Sequence, residues 1–85
     1  MSVEQGEAIL TTEQKVSQIW HAVLSTSGEN SDATFFELGG ESISAIRIVS
    51  QVDEALGVEI DVADLFEEDP TLARFIAMVT ESQAS

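Results

Sequence analysis

Apolar residues recur at helical spacing in three segments of this 85-residue chain, and that recurrence constrains its fold more than any other feature. In the first segment they stand at positions i, i+3, i+4, i+7 and i+8, which gather on one face of a helix. Thr11 and Gln14 form a capping box ahead of this segment. The segment is therefore predicted to be a helix that buries Trp20. Its apolar face comprises Val16, Ile19, Trp20, Val23 and Leu24.

The other two segments carry the same period. The second is predicted to form a helix over Ser42–Leu56, because the Gly57 that follows favours helix termination. The third is expected to begin with an Asp69 cap and Pro70 in the first turn, and to fray near Thr80. The core-facing residues are Ala45, Ile48, Val49, Val52 and Leu56 in the second helix and Leu72, Phe75, Ile76 and Val79 in the third.

A short helix is expected between these two, over residues 62–67, with Asp61 as its cap. No segment shows the alternation of a strand. The fold class is therefore predicted to be all-α, a four-helix bundle of three longer helices and one short one with a long first loop. We expect a flexible leader over residues 1–10, one domain over 11–80 and a frayed tail over 81–85, since a chain this short supports a single core.

Charge excludes several classes of function. The chain has 16 acidic residues against three basic ones, a formal net charge of −13. Nucleic acid and anionic membrane surfaces are therefore not expected as partners, since binding to either needs clustered Lys and Arg. A basic protein surface is expected as a partner. There is no cysteine and no apolar run long enough to span a membrane. The N-terminus lacks a signal peptide, so the cytoplasm is the expected compartment.

A long polar connection over residues 25–41 precedes the second helix and ends in an unusual motif. Residues 35–43 read Phe-Phe-Glu-Leu-Gly-Gly-Glu-Ser-Ile. Burial of Phe35, Phe36 and Leu38 is expected to hold this loop against the bundle. Two adjacent glycines permit a tight turn and leave room for an approaching enzyme. These glycines are Gly39 and Gly40.

The serine of this motif, Ser42, is predicted to be a modified residue and not a nucleophile. A nucleophile elbow needs a second glycine, a preceding strand and an oriented base, and the only histidine is His21 on another helix. At a helix start, free N–H groups and the helix dipole favour an attached anion. Ile43 and Ile46 fall off the core stripe beside Ser42, which indicates an apolar docking surface. The acidic run at residues 67–69 lacks the spacing of a calcium loop.

The motif at residues 35–43, with Ile-Asp at 60–61, Leu-Phe at 65–66 and Pro-Thr-Leu at 70–72, resembles a phosphopantetheine-dependent carrier protein. The likeness covers residues 12–79. Gly-Gly-x-Ser before an aliphatic residue is more similar to the peptidyl carriers (thiolation domains) of nonribosomal peptide synthetases, whereas the strong acidity is more typical of acyl carriers. Aminoacyl and acyl cargo both stay open. So does the choice between a free-standing carrier and a domain excised from a longer protein.

The resemblance implies that a phosphopantetheinyl transferase attaches 4′-phosphopantetheine to Ser42, and that the arm shuttles a thioester between enzymes without catalysis by the carrier. It implies an adenylation or acyl-loading enzyme and condensation, tailoring or thioesterase domains as partners of a monomer. Ile43, Ile46, Val62 and Phe66 would meet these partners, and Phe36, Leu38, Gly39 and Gly40 would support the motif. The alternatives are an unmodified acidic adaptor and a small hydrolase.

Overall fold

A computed structural model of the chain describes residues 11–26 and 32–84. It has four helices: α1 (Thr12–Leu24), α2 (Ser42–Leu56), α3 (Val62–Glu68) and α4 (Leu72–Ala84). Helix α1 packs against α2 and α4, and α3 packs against α2. Within the described residues the only β pairing is an isolated bridge between Thr34 and Thr71. The predicted all-α class and four-helix architecture are confirmed. The leader expected over residues 1–10 lies outside the described residues. The domain limits stay a prediction.

Helix α1 begins and packs as its sequence predicts. Thr11 Oγ1 accepts a hydrogen bond from the Gln14 backbone N–H at 3.1 Å, and Gln14 Oε1 accepts from the Thr11 backbone N–H at 3.0 Å. The capping box thus satisfies donors that the helix itself leaves free. On the apolar face Val16, Ile19, Trp20 and Leu24 are buried, and Val23 packs at the core's edge.

An aromatic group fills the centre of the core. Trp20 of α1 lies 5.5 Å from Phe75 of α4 and 6.2 Å from Phe35 of the first loop, measured between ring centroids, and all three are almost completely buried. Each large ring removes a large apolar area from water and prefers such tilted contacts. The loop before α2 is therefore part of the core. The other buried apolar residues are Ala45, Ile48, Val52, Val58, Ile60, Leu65, Met78 and Val79.

The junction between α3 and α4 differs from the prediction in its cap. Asp61 does cap α3, since its side chain accepts from the Ala63 backbone N–H, but α3 runs to Glu68. Asp69 then adopts the left-handed conformation, φ 45° and ψ 62°, and ends α3. The cap of α4 is Thr71, whose hydroxyl accepts from the Arg74 backbone N–H at 3.2 Å. The expected Asp69 cap and Pro70 start are wrong because both residues belong to the turn.

Helix α4 also continues four residues beyond its expected end at Thr80. Its last turn is held to the start of α1, because Thr12 Oγ1 donates a hydrogen bond to Gln83 Oε1 at 3.0 Å. On the opposite flank, Arg74 Nε lies 3.0 Å from Glu68 Oε1, and a second guanidinium nitrogen lies 3.7 Å from Glu81. The hydrogen bond and charge of Glu68 raise the pKa of Arg74 above its usual value. Two of these polar contacts, those of Glu81 and Gln83, lie in the turn that the apolar pattern does not predict.

Candidate functional site

Ser42 is the first residue of α2 and is exposed to solvent. The preceding Glu41 is extended, with φ −148° and ψ −175°, and its side chain makes no capping hydrogen bond. Its carbonyl accepts from the Ala45 backbone N–H at 2.9 Å, so the helix is regular from its first turn. The first turn contains no acidic residue. An anion on the Ser42 oxygen would therefore meet helix N–H groups with no side-chain acceptor already bound as a cap.

The two glycines before Ser42 serve different purposes. Gly39 has φ +87°, a region that residues with a Cβ rarely adopt, and nothing lies within 4 Å of where its Cβ would be. A Cβ on Gly40 would instead lie 2.5 Å from the Phe35 ring. The Gly40 N–H also donates to the Phe35 carbonyl at 2.9 Å. Gly39 permits the turn, and Gly40 permits the close approach of the backbone to the buried ring.

The loop is tied to the α3–α4 junction by its backbone. The Phe35 N–H donates to the Pro70 carbonyl at 2.8 Å, and the Phe36 N–H donates to Asp69 Oδ1 at 2.7 Å. Within the loop, Glu37 Oε1 accepts from the Thr34 backbone N–H at 2.9 Å. Residues about 35 positions apart in the sequence thus hold the segment that leads to Ser42. The predicted anchoring of the loop is confirmed for Phe35, which is fully buried, and Leu38 packs at the core's edge.

Phe36 is not buried as expected, since 46% of its surface is exposed. Phe35 already occupies the core, and the adjacent ring lies outside it, stacked on Phe66 of α3. The two ring centroids are 6.0 Å apart and the rings are inclined by 11°. Sequence reasoning missed this contact because it treated both phenylalanines as anchors. Two consecutive aromatic residues in a tight turn are a signal that one ring faces outward.

The predicted docking residues fall in two places. On α2, Ile43 and Ile46 are 63% and 54% exposed, one turn apart beside Ser42. On α3, Val62 and Phe66 are half-buried at the core's edge, and Phe66 supports the exposed Phe36. Among the described residues, Phe36, Ile43 and Ile46 are the exposed large hydrophobic side chains. Exposed apolar groups close to one another are typical of partner surfaces.

The chain's histidine and its acidic run lie in other contacts in the part of the chain that the structure describes. His21 is half-buried on α1, and its Nδ1 lies 2.7 Å from the Thr26 hydroxyl. Over residues 11–26 and 32–84, no three His, Cys, Asp or Glu side chains gather as metal ligands. Of the acidic run, Glu68 pairs with Arg74 and Asp69 holds the Phe36 N–H. None of the helices in these ranges is both long and apolar enough to cross a membrane.

Residues 14–79 match the family described as "Phosphopantetheine attachment site". Phosphinothricin tripeptide synthetase PhsC of Streptomyces viridochromogenes is 42% identical over 72 residues, which are 85% of this chain and 6% of that protein. Tyrocidine synthase 3 of Brevibacillus parabrevis is 41% identical over 71 residues, 84% of this chain and 1% of that protein. This chain therefore spans only a small fraction of the length of these relatives.

A solved structure has the same fold. It is described as "Structure of McyG A-PCP complexed with phenylalanyl-adenylate", and it superposes with a TM-score of 0.67 at 27% identity, over 84% of this chain and 11% of that one. The family match spans all of α2 and α3 and the loop between residues 34 and 40. Both the resemblance and the predicted cofactor, 4′-phosphopantetheine, are confirmed at the level of the family. The chain belongs to the phosphopantetheine attachment site family.

Proposed function

We propose that Ser42 carries the 4′-phosphopantetheine arm, and that the chain shuttles an aminoacyl or peptidyl group on that arm between the enzymes of nonribosomal peptide synthesis. The observation that carries the proposal is an exposed serine hydroxyl at the uncapped start of α2, inside the matched family region. Ser44, the other serine in this turn, is partly buried. When bound, the arm supplies a thiol that holds the cargo as a thioester.

The residues around Ser42 suit the attachment reaction. The bond between Ser42 Oγ and the phosphorus next to pantetheine would form as the phosphoric anhydride of coenzyme A breaks. Adenosine 3′,5′-bisphosphate would leave, and the hydroxyl proton would pass to a base on the transferase. The resulting phosphodiester keeps one negative charge, which the first turn of α2 favours. Ser42 is exposed to solvent, so a transferase can reach its hydroxyl. These features support a residue that is modified by another enzyme.

The carrier itself performs no catalysis in this proposal. Its one histidine, His21 on α1, contacts Thr26 just beyond that helix, and the described residues offer no base oriented by a third group beside Ser42. An unassisted serine is a weak nucleophile. A small hydrolase is therefore disfavoured, and it would show itself by turnover of an ester substrate by the unmodified protein.

The partners are proposed by the same reasoning. They are a phosphopantetheinyl transferase, an adenylation or acyl-loading enzyme, and condensation, tailoring or thioesterase domains. Exposed Ile43 and Ile46 on α2, with Val62 and Phe66 on α3, would contact them. A net charge of −13 favours basic partner surfaces and disfavours nucleic acid and anionic membranes. We expect a monomer that acts in the cytoplasm.

Aminoacyl and acyl cargo can be distinguished by the enzyme that loads the arm. The peptide synthetase relatives favour aminoacyl cargo, whereas the strong acidity favours acyl cargo. Incubation of the modified protein with an amino-acid-activating enzyme, its amino acid and ATP, or with an acyl-loading enzyme and acyl-coenzyme A, would decide between them. Thioester formation only in the second reaction would make the chain an acyl carrier.

Intact-mass measurement after incubation with coenzyme A and a broad-specificity phosphopantetheinyl transferase tests the attachment. The wild type is expected to gain one phosphopantetheinyl group, Ser42→Ala none, and Ser44→Ala the same group as the wild type. An unmodified wild type, or a modified Ser42→Ala, would contradict the proposal. An unmodified acidic adaptor, in contrast, would keep its cellular activity in Ser42→Ala and lose it on charge reversal at several acidic residues.

A further inference from the structure

The residue that ends α3 also contacts the loop that leads to Ser42. The Asp69 backbone N–H donates to the Leu65 carbonyl at 3.0 Å, which closes the last turn of α3. Its side-chain Oδ1 accepts from the Phe36 backbone N–H at 2.7 Å. One residue therefore joins the end of α3 to a backbone donor 33 positions earlier in the sequence.

The conformation of Asp69 indicates that its carboxylate has a purpose of its own. With φ 45° and ψ 62° it occupies the left-handed region, where glycine is the least strained residue and ends helices well. A residue needed only to end α3 would gain from being glycine. Glycine, however, would leave the Phe36 N–H without its carboxylate acceptor, and hydrogen bonds to a charged acceptor are the stronger kind.

The Phe36 backbone lies at the start of the turn that presents Ser42. The Gly39 N–H donates to the Phe36 carbonyl at 3.0 Å, and the Leu38 N–H donates to the Thr34 carbonyl at 3.0 Å. These bonds make residues 34–40 a continuous turn, so a constraint on the Phe36 N–H passes to the whole turn. The neighbouring bond from Phe35 to the Pro70 carbonyl anchors the turn from the core side. Asp69 anchors it from the surface side.

We propose that Asp69 is a positioning residue for the attachment of the arm: its carboxylate holds the 34–40 turn, and through that turn the Ser42 hydroxyl, in the orientation that the transferase needs. The inference rests on the proposed role of Ser42. It also links α3 to the attachment site, because the stacked Phe36 and Phe66 rings lie at the same junction. The docking side chains Ile43 and Ile46 stand on α2, outside the 34–40 turn that Asp69 contacts.

Two substitutions at position 69 separate positioning from helix termination. Asp69→Gly keeps the left-handed turn and removes the acceptor. Asp69→Asn tolerates the same conformation and keeps Oδ1 as an acceptor, but it replaces the second carboxylate oxygen with a neutral amide nitrogen. Hydrogen exchange of the Phe36 amide measures the contact directly. We expect exchange about tenfold faster or more in Asp69→Gly, and within about threefold of the wild type in Asp69→Asn. Unchanged protection of the α1 amides serves as the control for global unfolding.

The second readout is transferase kinetics with coenzyme A. In Asp69→Gly we expect kcat to fall by about three- to tenfold with a smaller change in the KM for the carrier, because the docking side chains are retained while the hydroxyl is misplaced. Asp69→Asn should restore most of the rate. Both variants are compared at a temperature where melting curves show them fully folded.

Three results would overturn the inference. They are Phe36 exchange unaffected by Asp69→Gly, faster exchange with unchanged kcat, and an Asp69→Asn variant as impaired as Asp69→Gly. A different result would be a wild type that is not modified with phosphopantetheine although Asp69 protects its Phe36 amide from exchange. That result would contradict the proposed function of Ser42, and the positioning role with it. A modified wild type with an unimpaired Asp69→Gly removes the positioning role alone.

Discussion

Replacement of Gly40 by alanine tests how the loop and the core fit together. The new Cβ would lie 2.5 Å from Cε1 and Cζ of Phe35 and 2.6 Å from Cδ1, closer than such atoms approach. Phe35 has no room to retreat, because it is fully buried with Trp20 at 6.2 Å and Phe66 at 6.3 Å between ring centroids. The backbone of Gly40 is not in the left-handed region, so no backbone strain adds to the packing effect in the folded state.

The expected loss of stability follows from two opposed effects. Overpacking of a dense core costs about 1–3 kcal/mol. Alanine also restricts the unfolded chain, which stabilises the folded state by about 0.4–1 kcal/mol. The midpoints of these two ranges differ by about 1.3 kcal/mol, so the free energy of unfolding should fall by about that amount. Each kcal/mol lowers Tm by about 4–8 °C in a domain of this size. Urea unfolding followed by fluorescence of Trp20, the only tryptophan, measures it.

A double-mutant cycle with Phe35→Leu identifies the ring as the obstacle. The smaller side chain destabilises the core by itself, but it leaves space for the Cβ at position 40, so Gly40→Ala should cost less in that background. The reasoning is refuted if Gly40→Ala is as stable as the wild type. It is also refuted if Gly40→Ala lowers the free energy of unfolding by the same amount with phenylalanine and with leucine at position 35. Gly39→Ala is the matched control: its Cβ meets nothing, and its cost of about 1–2 kcal/mol comes from the positive φ and is independent of Phe35.

Three further predictions concern stability and docking. Asp61→Ala removes the cap that accepts from the Ala63 N–H and should cost about 1 kcal/mol in urea unfolding, and an unchanged midpoint would contradict the role of the cap. Tm should rise when the salt concentration is raised from about 0.01 M to about 0.15 M, because the Debye length shortens from about 30 Å to about 8 Å and the 13 excess negative charges repel one another less. A salt-independent Tm would count against self-repulsion. Ile46→Glu should change the free energy of unfolding by no more than about 0.5 kcal/mol but raise the KM of the transferase for the carrier. Gln51→Glu adds the same charge at another exposed position of α2 and should leave this KM unchanged. Equal KM values for the two variants would remove Ile46 from the docking surface.

The helices and much of the core could be predicted because the apolar period decides them. Helix α2 has the predicted bounds, and the capping box of Thr11 and Gln14 forms as expected. The exposed positions of Ile43 and Ile46 also follow from the helical period alone. The apolar pattern fails where polar contacts between distant segments decide the structure. Helix α4 reaches Ala84, with Gln83 bonded to Thr12, a residue 71 positions away.

The site was only partly predictable for the same reason. Local sequence places Ser42 at a helix start, but it cannot show that the preceding loop is held by Asp69 and Pro70. Asp69 next to Pro70 is typical of a helix start, so the local sequence predicts a helix cap at this position. In the structure, Asp69 instead adopts a left-handed turn and accepts a hydrogen bond from Phe36, a tertiary contact that the local sequence does not predict. The exposure of Phe36 has the same origin, because only one of two adjacent rings can enter the core.

The most direct test of the attachment site is peptide-level mass spectrometry of the protein after modification. Lys15 and Arg47 bracket a tryptic peptide, residues 16–47, that contains both Ser42 and Ser44. Fragmentation of this peptide separates the two hydroxyls, which stand in the same turn and differ in exposure. We predict that the phosphopantetheinyl group is on Ser42 and on no other residue. A group on Ser44 or elsewhere in the chain, or no group under conditions that modify a known carrier, would contradict the proposal.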